Sequence, residues 1–391
     1  MTRRQIVFFG SYDTALHPRV AVLRDGLAAT NDVVQINERL GLSTADKIDA
    51  ASSVSGAARL AVAIARAWIP LARRALREPR RPDAVVVGYM GHFDVHLARL
   101  MWPRSTIVLD HLVGLADTSK ERGVATGLKA RVLDLLDRLA FAAAHVVVVD
   151  TEEQRARLAK PAQRKAVVVP VGATSEWFDQ PAPPPPPPLR VCFVGLYTSL
   201  HGAPIIGEAI DRLADVERIT FTMIGTGQEL DATRVAAARN PRVEWIDWVP
   251  SEELAATVAS HHVSLGIFGT TPKALAVVPT KAYQGLAAGT IVVTSDTAPQ
   301  RRALGGHARF VPPGDGAALA KALRDLADEM DSSTTRSDGL GDDEAPTPPG
   351  HLAPGPGAAF RPEAVVAAII GRLDELLPTT RDDRRPTGSK P

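Results

Sequence analysis

Short apolar runs rich in β-branched residues alternate along this chain with stretches of helical spacing. Residues 5–10, 32–36, 84–88, 106–110, 145–150 and 166–171 predict strands, and the pattern restarts at 190–195, 219–225, 243–248, 263–268, 290–294 and 308–311. Strands separated by helical segments make βαβ units, so each block predicts a parallel sheet covered by helices. Between the blocks, 181–188 reads PAPPPPPP. Prolines donate no ladder hydrogen bonds, and this stretch predicts an extended spacer.

The resulting plan is an α/β chain of two Rossmann-like domains facing a central cleft. The first domain spans 1–178, a proline-rich linker 179–189 and the second domain 190–330. Residues 331–361 are dominated by Ser, Thr, Asp, Pro and Gly, which bury too little to offset ordering entropy, and predict a disordered insertion. Residues 362–377 return to helical spacing, with Val365, Ile369, Leu373 and Leu376 on one face. The polar tail 378–391 is expected to be flexible.

The chemistry gathers on the loop between the strands at 263–268 and 290–294. In open parallel sheets the ligand crevice lies beyond the carboxyl ends of the strands, where this loop must fall. Lys273, Lys281 and the amides opening the short helix at 281–288 therefore face an anion, with Gly289 stopping that helix.

Composition narrows the classes. A chain of 391 residues with 45% apolar residues carries two or three domains with substantial cores. The net charge of +1 hides no block of one sign, which argues against a nucleic-acid partner. The lone Cys192 sits in a predicted strand as inert packing, and a single cysteine forms no internal disulfide, in keeping with a cytoplasmic setting. The first strand begins at once, leaving no room for a signal-peptide core, and no apolar run approaches the roughly 20 residues that span a bilayer.

The stretch Pro279-Thr280-Lys281-Ala282-Tyr283-Gln284-Gly285-Leu286-Ala287-Ala288-Gly289 resembles the Pro-x-Lys-x-x-Glu-x-x-Ala-x-Gly signature of retaining glycosyltransferase family 4, which has the GT-B architecture. The resemblance implies a metal-independent enzyme without a cofactor, moving a sugar with retention from a nucleotide-diphosphate sugar to a hydroxyl acceptor, and a C-terminal helix at 362–377 that crosses back to the first domain. Gln284 stands where the family has a ribose-binding Glu; its amide bonds one hydroxyl but brings no charge. The family's Gly-Arg and Lys-Gly pairs, which hold the donor diphosphate, correspond here to Gly195-Leu196 and His201-Gly202. A protonated His201 would then share the phosphate charge with Lys273 and Lys281. Gly225, in Ile224-Gly225-Thr226-Gly227, resembles the turn near the base, and Ala276 replaces a sugar-binding Glu, leaving Thr270 and Thr271 as neighbours. Ser251 is the expected N-cap of the next helix, and Trp248 is read as core or base-proximal, with core favoured.

In the first domain the resemblance places Gly10 close to donor or acceptor, and His111, just past a strand end, against the transferred sugar as the catalytic candidate. Tyr12, Arg19, His92 and Asp94 are the acceptor-side candidates, Arg19 being equally readable as a solvated helix residue. His96 and His145 read as structural. Two other classes stay open: a GT-B sugar-nucleotide epimerase, and a non-catalytic sugar-nucleotide-binding or partner protein. The helix at 57–77 combines Arg59, Arg66, Arg73, Arg74 and Arg77 with Leu60, Ile64, Trp68 and Leu71. It packs on the sheet with a solvated face, or makes peripheral contact with the inner face of a membrane.

Overall fold

Every strand-like run of the sequence enters one of two parallel sheets. The computed structural model describes residues 3–12, 17–40, 54–112, 114–115, 127–181, 187–337 and 357–377. In the first block β1 (Gln5–Gly10), α1 (Pro18–Ala28), β2 (Asp32–Asn37), α2 (Val54–Arg77), β3 (Ala84–Val87), α3 (Asp94–Met101), β4 (Thr106–Asp110), α4 (Gly127–Ala143), β5 (Val146–Val149), α5 (Glu152–Arg157), α6 (Lys160–Gln163) and β6 (Ala166–Val168) follow in order. In the second come β7 (Leu189–Val194), α7 (Ala203–Arg212), β8 (Ile219–Ile224), α8 (Leu230–Ala236), β9 (Val243–Ile246), α9 (Ser251–Ala259), β10 (Val263–Leu265), α10 (Thr280–Ala287), β11 (Ile291–Ser295), α11 (Ala298–Leu304), β12 (Ala308–Val311) and α12 (Gly316–Ser337). The chain ends its described part with α13 (Pro362–Val365) and α14 (Ala367–Leu376).

The strand orders are β2-β1-β3-β4-β5-β6 and β12-β11-β10-β7-β8-β9. Every pairing is parallel, with Val7, Val85 and Ile107 in register across the first sheet and Val191, Val263 and Ile291 across the second. These valines and isoleucines are covered from both sides, which explains why the strands read as continuous apolar runs rather than alternating ones. Strand order reverses between β1 and β3 and again between β7 and β10. Each sheet thus opens a crevice at a switch point, the loops after β1 and β3 forming one and those after β7 and β10 the other.

The C-terminal segment does return to the first domain. Val365, Val366, Ile369 and Leu373 are buried in one cluster with Ile6, Phe8, Val20 and Leu23. Leu376, expected on that face, is exposed, and Leu377 at the end of the helix packs on the cluster instead. Residues 331–337, expected in a disordered insertion, continue α12, with Ser332 Oγ bonded back to the Asp328 carbonyl. The rest of that insertion at 338–356, the linker at 182–186 and the tail at 378–391 lie outside the described residues.

The crossing between domains falls before the proline run. Ala173 and Trp177 already pack with Cys192, Ala255, Val258 and Ala287 of the second domain. Around that crossing Thr151 Oγ1 donates to the Ala276 carbonyl at 3.1 Å, and Arg302 pairs with Glu153 at 3.0 Å. Leu112 and Val171 close the same junction against Val278, Ala282 and Tyr283.

Candidate active site

At the second switch point three loop elements bring Lys281, His201 and Gly195 together. A Cβ placed on Gly195 would lie 2.5 Å from Lys281 Nζ and 3.3 Å from His201 Nε2, so only glycine leaves room for both groups. Lys281 enters from the first turn of α10, with Thr280 opening the helix and Gln284 one turn on. Its Nζ is buried without a hydrogen-bond partner and lies 3.9 Å from the centre of the Phe193 ring. Burial therefore holds the Lys281 amine well below its ordinary pKa.

His201 Nδ1 is bonded to Thr198 Oγ1 at 2.9 Å, leaving Nε2 toward Lys281. Burial first, and then the charge of Lys281, lowers its pKa far below 6.5. The protonated His201 expected from the sequence is therefore corrected: burial keeps the imidazole neutral. Gly202, at φ +61°, turns the chain into α7, whose N-terminus stands behind His201. Leu196 is exposed and adds no charge.

Gly225 seats the neighbouring turn on this loop. Its φ is +117°, and a Cβ there would lie 2.0 Å from the Gly195 carbonyl oxygen. Gly225→Ala is expected to cost about 2–4 kcal/mol in stability from strain and overlap, and to weaken ligand binding by displacing Gly195. Urea unfolding followed by calorimetry checks both. Lys273 has partners of its own, and Thr271 Oγ1 accepts from the Ala274 amide at 3.2 Å.

Trp248 is 72% exposed, so the favoured core reading is corrected; it stands at the open end of the turn after β9. Ser251 is the first residue of α9 rather than its cap, and makes no capping bond because Pro250 takes the cap position.

The first domain's candidates are distributed differently. Gly10 ends β1 with Asp94 Oδ2 against it. Asp94 accepts from the Ser11 amide at 2.6 Å, Ser11 Oγ at 2.7 Å and Trp68 Nε1 at 2.8 Å, so its carboxylate holds the loop together. Tyr12 is buried, which raises its pKa. Arg19, expected as an acceptor contact or a solvated residue, is neither: its side chain and that of Asp110 are 2% and 0% exposed and pair at 2.8 Å. Its other donors reach the Val169 and Pro170 carbonyls. Arg19 is thus a tie between the ends of β4 and β6.

His92 and His111 meet with ring centres 5.5 Å apart, and His111 also stacks edge-on against Phe141 at 4.6 Å. His92 Nε2 lies 3.0 Å from Asp137. Burial, followed by the neighbouring His92, lowers His111 to about 3, against the opposing pull of Asp137. Of the other histidines, His145 accepts from the Ile107 amide and is structural, while His96 is exposed on α3.

Sequence reasoning passed over Phe193, Thr198, Asp137 and Asp150. Phe193 and Asp150 sit on or next to strands read as core, and Asp137 gives no local signal on its helix. Asp150 is raised to about 6, chiefly by burial, and lies near Arg19, Asp110 and Tyr283 at the domain junction.

Two switch-point crevices on two parallel sheets, with a C-terminal helix returning to the first, define the GT-B fold of glycosyltransferases. Residues 188–329 match the family described as Glycosyl transferases group 1. No curated protein matches the chain. Among solved structures, sucrose-phosphate synthase from Thermosynechococcus elongatus is similar at a TM-score of 0.63 and 13% identity, covering 96% of this chain and 99% of that one. The UDP-forming α,α-trehalose-phosphate synthase from Burkholderia vietnamiensis gives 0.60 and 14%, with the same 96% and 99% coverage. HepE of Anabaena in complex with UDP and glucose gives 0.58 and 12%, again over 96% and 99%.

Proposed function

We propose that this protein is a retaining, metal-independent glycosyltransferase of the cytoplasm, moving a sugar from a nucleotide-diphosphate sugar to a hydroxyl acceptor. The observation that carries the proposal is the convergence of Lys281 Nζ, His201 Nε2 and Gly195 at the switch point of the domain that matches Glycosyl transferases group 1. A buried amine with no partner is costly unless a ligand supplies one, and a diphosphate does so. The UDP held by HepE makes a uridine nucleotide the first candidate donor.

In this reading Lys281 and His201 hold the diphosphate, with the N-terminus of α7 behind them and Gln284 toward the ribose. The bond from the anomeric carbon to the diphosphate oxygen breaks as the acceptor oxygen bonds the same carbon from the same face. The acceptor's proton passes to the departing phosphate oxygen, and Lys281 stabilises the charge left there. His111 lies toward the transferred sugar and, neutral, offers a hydrogen bond rather than a charge.

A phosphate beside Lys281 and His201 favours the charged form of each and raises the pKa values that burial has lowered, so binding takes up protons wherever these groups were neutral. Affinity for a nucleoside diphosphate is therefore expected to weaken as pH rises from about 6 to 8.5, by up to tenfold per unit for each proton taken up. Titration calorimetry of UDP, GDP, ADP and TDP in buffers of different ionisation enthalpy measures that uptake, and product analysis with the sugar of the best binder measures transfer. Absence of binding to all four by a folded protein ends the proposal. Binding without transfer to any acceptor leaves a sugar-nucleotide-binding protein.

A further inference from the structure

Residues at the carboxyl end of β5 and along α5 stitch the first domain to the donor side of the second. Thr151 reaches the Ala276 carbonyl, Glu153 pairs with Arg302, and Arg157 Nη2 donates to the Pro272 carbonyl at 3.2 Å. Asp150 lies at the buried centre of this seam, close to the phenol of Tyr283 from α10. Tyr283 is itself buried, with its ring 5.2 Å from that of Phe360 and its phenol at the backbone of Val171. Two residues along a helix turn roughly 200°, so Tyr283 leaves α10 on the face opposite Lys281. One face of this short helix carries the amine of the donor site, and the other rests on the first domain.

The centre of the seam does not balance electrically. Among the described residues, Arg19 of α1 is the one cation set against two buried carboxyls, Asp110 at the end of β4 and Asp150. All its nitrogens are committed, Nε to Asp110 Oδ1 and the others to the Val169 and Pro170 carbonyls. Asp110 Oδ2 and Asp150 Oδ1 are left buried without a hydrogen-bond partner. Glu152 and Glu153 turn away to Arg155 and Arg302, and burial keeps the Tyr283 phenol neutral. A proton on Asp150 removes both faults: it cancels the surplus charge and turns an oxygen that lacks a donor into one. Burial favours that proton, holding Asp150 at about 6 against the pull of Arg19. A seam opened to water returns the carboxyl toward 3.8, so closure takes up a proton and weakens as pH rises from 3.8 to about 6.

We propose that Asp150 is a positioning residue for transfer: with its proton it seats Tyr283, and through α10 Lys281 and Gln284, against the acceptor-side domain, and without it the seam loosens. This deepens the glycosyl-transfer reading and rests on it. Donor and acceptor meet across the cleft, so the seat of α10 sets the distance between the reacting atoms.

Asp150→Asn keeps the shape of the side chain and leaves it uncharged at every pH. Hydrogen exchange across 276–288 in the full chain, read by mass spectrometry and normalised to the chemical rate, is expected to match wild type at pH 5. At pH 7.5 the variant should be protected about tenfold more than wild type. The ratio of their UDP affinities should rise from about 1 at pH 5 to about threefold or more at pH 7.5, since proton uptake at Lys281 and His201 is common to both and cancels. A higher unfolding midpoint with exchange at 276–288 unchanged would mark a purely structural carboxyl and overturn the proposal. So would an exchange difference of the same size at both pH values. Should the variant not fold, the wild type decides alone: protection of 276–288 must fall about tenfold between pH 5 and 7.5 relative to β8, and constancy overturns the proposal. UDP that binds neither protein removes the transfer reading, and the exchange measurements then decide the seam by themselves.

Discussion

Lys281→Met is expected to raise the unfolding midpoint by several degrees and to lower nucleoside-diphosphate affinity about 100-fold, both in one variant. The amine at Lys281 is buried, lacks a hydrogen-bond partner and lies over the face of Phe193. Replacing such a group by an apolar chain of similar shape removes a desolvation cost and is worth about 1–3 kcal/mol to the folded state. The same amine is the cation nearest Gly195 and His201, so the diphosphate loses a charge-assisted hydrogen bond. Proton uptake on binding should fall by the share that Lys281 contributes. Scanning calorimetry with and without UDP reads both effects. A variant that is less stable, or that binds UDP as wild type does, would show that Lys281 is packing and not a ligand group.

Arg19→Ala is expected to destabilise the protein by about 3–5 kcal/mol, the cost of leaving a buried carboxylate without its partner. Asp110 is fully buried against Arg19, and Asp150 stands close behind, already raised to about 6 by burial despite the nearby guanidinium. The defect should depend on pH in a definite direction. A carboxyl whose folded pKa exceeds its unfolded value of 3.8 contributes stability below that value and loses it as pH rises through about 6. Removing Arg19 raises the folded value further, so the variant should be closest to wild type in acid and worst at pH 8. Urea midpoints at pH 5 and 8 decide it, and Arg19→Ala/Asp110→Ala should recover part of the loss. Equal defects at both pH values would mean that the two carboxylates play no part.

The sheets were legible in the chain because their strands are buried on both faces and read as uninterrupted valine and isoleucine runs, as in Val146–Val149. The loop after 263–268 was legible as a crevice wall because ligands meet a parallel sheet at the carboxyl ends of its strands, whereas the reversal of strand order that sets both crevices left no trace in the chain. The donor loops carry a local pattern, and Gly195, His201 and Lys281 do meet. What the chain did not show was the company each side chain keeps. Phe193 under Lys281, Asp94 tied to Trp68, and Arg19 paired with Asp110 are contacts between distant segments with no periodic trace. Trp248 shows the limit of reading aromatics from type alone, since a residue expected inside stands open to solvent. At 331–337 a run of Ser and Thr that disfavours helix alone is carried by the long helix before it, since extending a helix costs less than starting one.

The return of Val365, Val366, Ile369 and Leu373 to the first domain sets an order on biosynthesis. The domain translated first cannot complete its hydrophobic interior until the last helices leave the ribosome, long after the second domain has been made. During that interval Ile6, Phe8 and Val20 face solvent on one side of an otherwise formed sheet. The nascent chain therefore depends on the second domain folding between two parts of the first, and a ribosome stalled before residue 360 would display an unfinished apolar face for chaperones to hold.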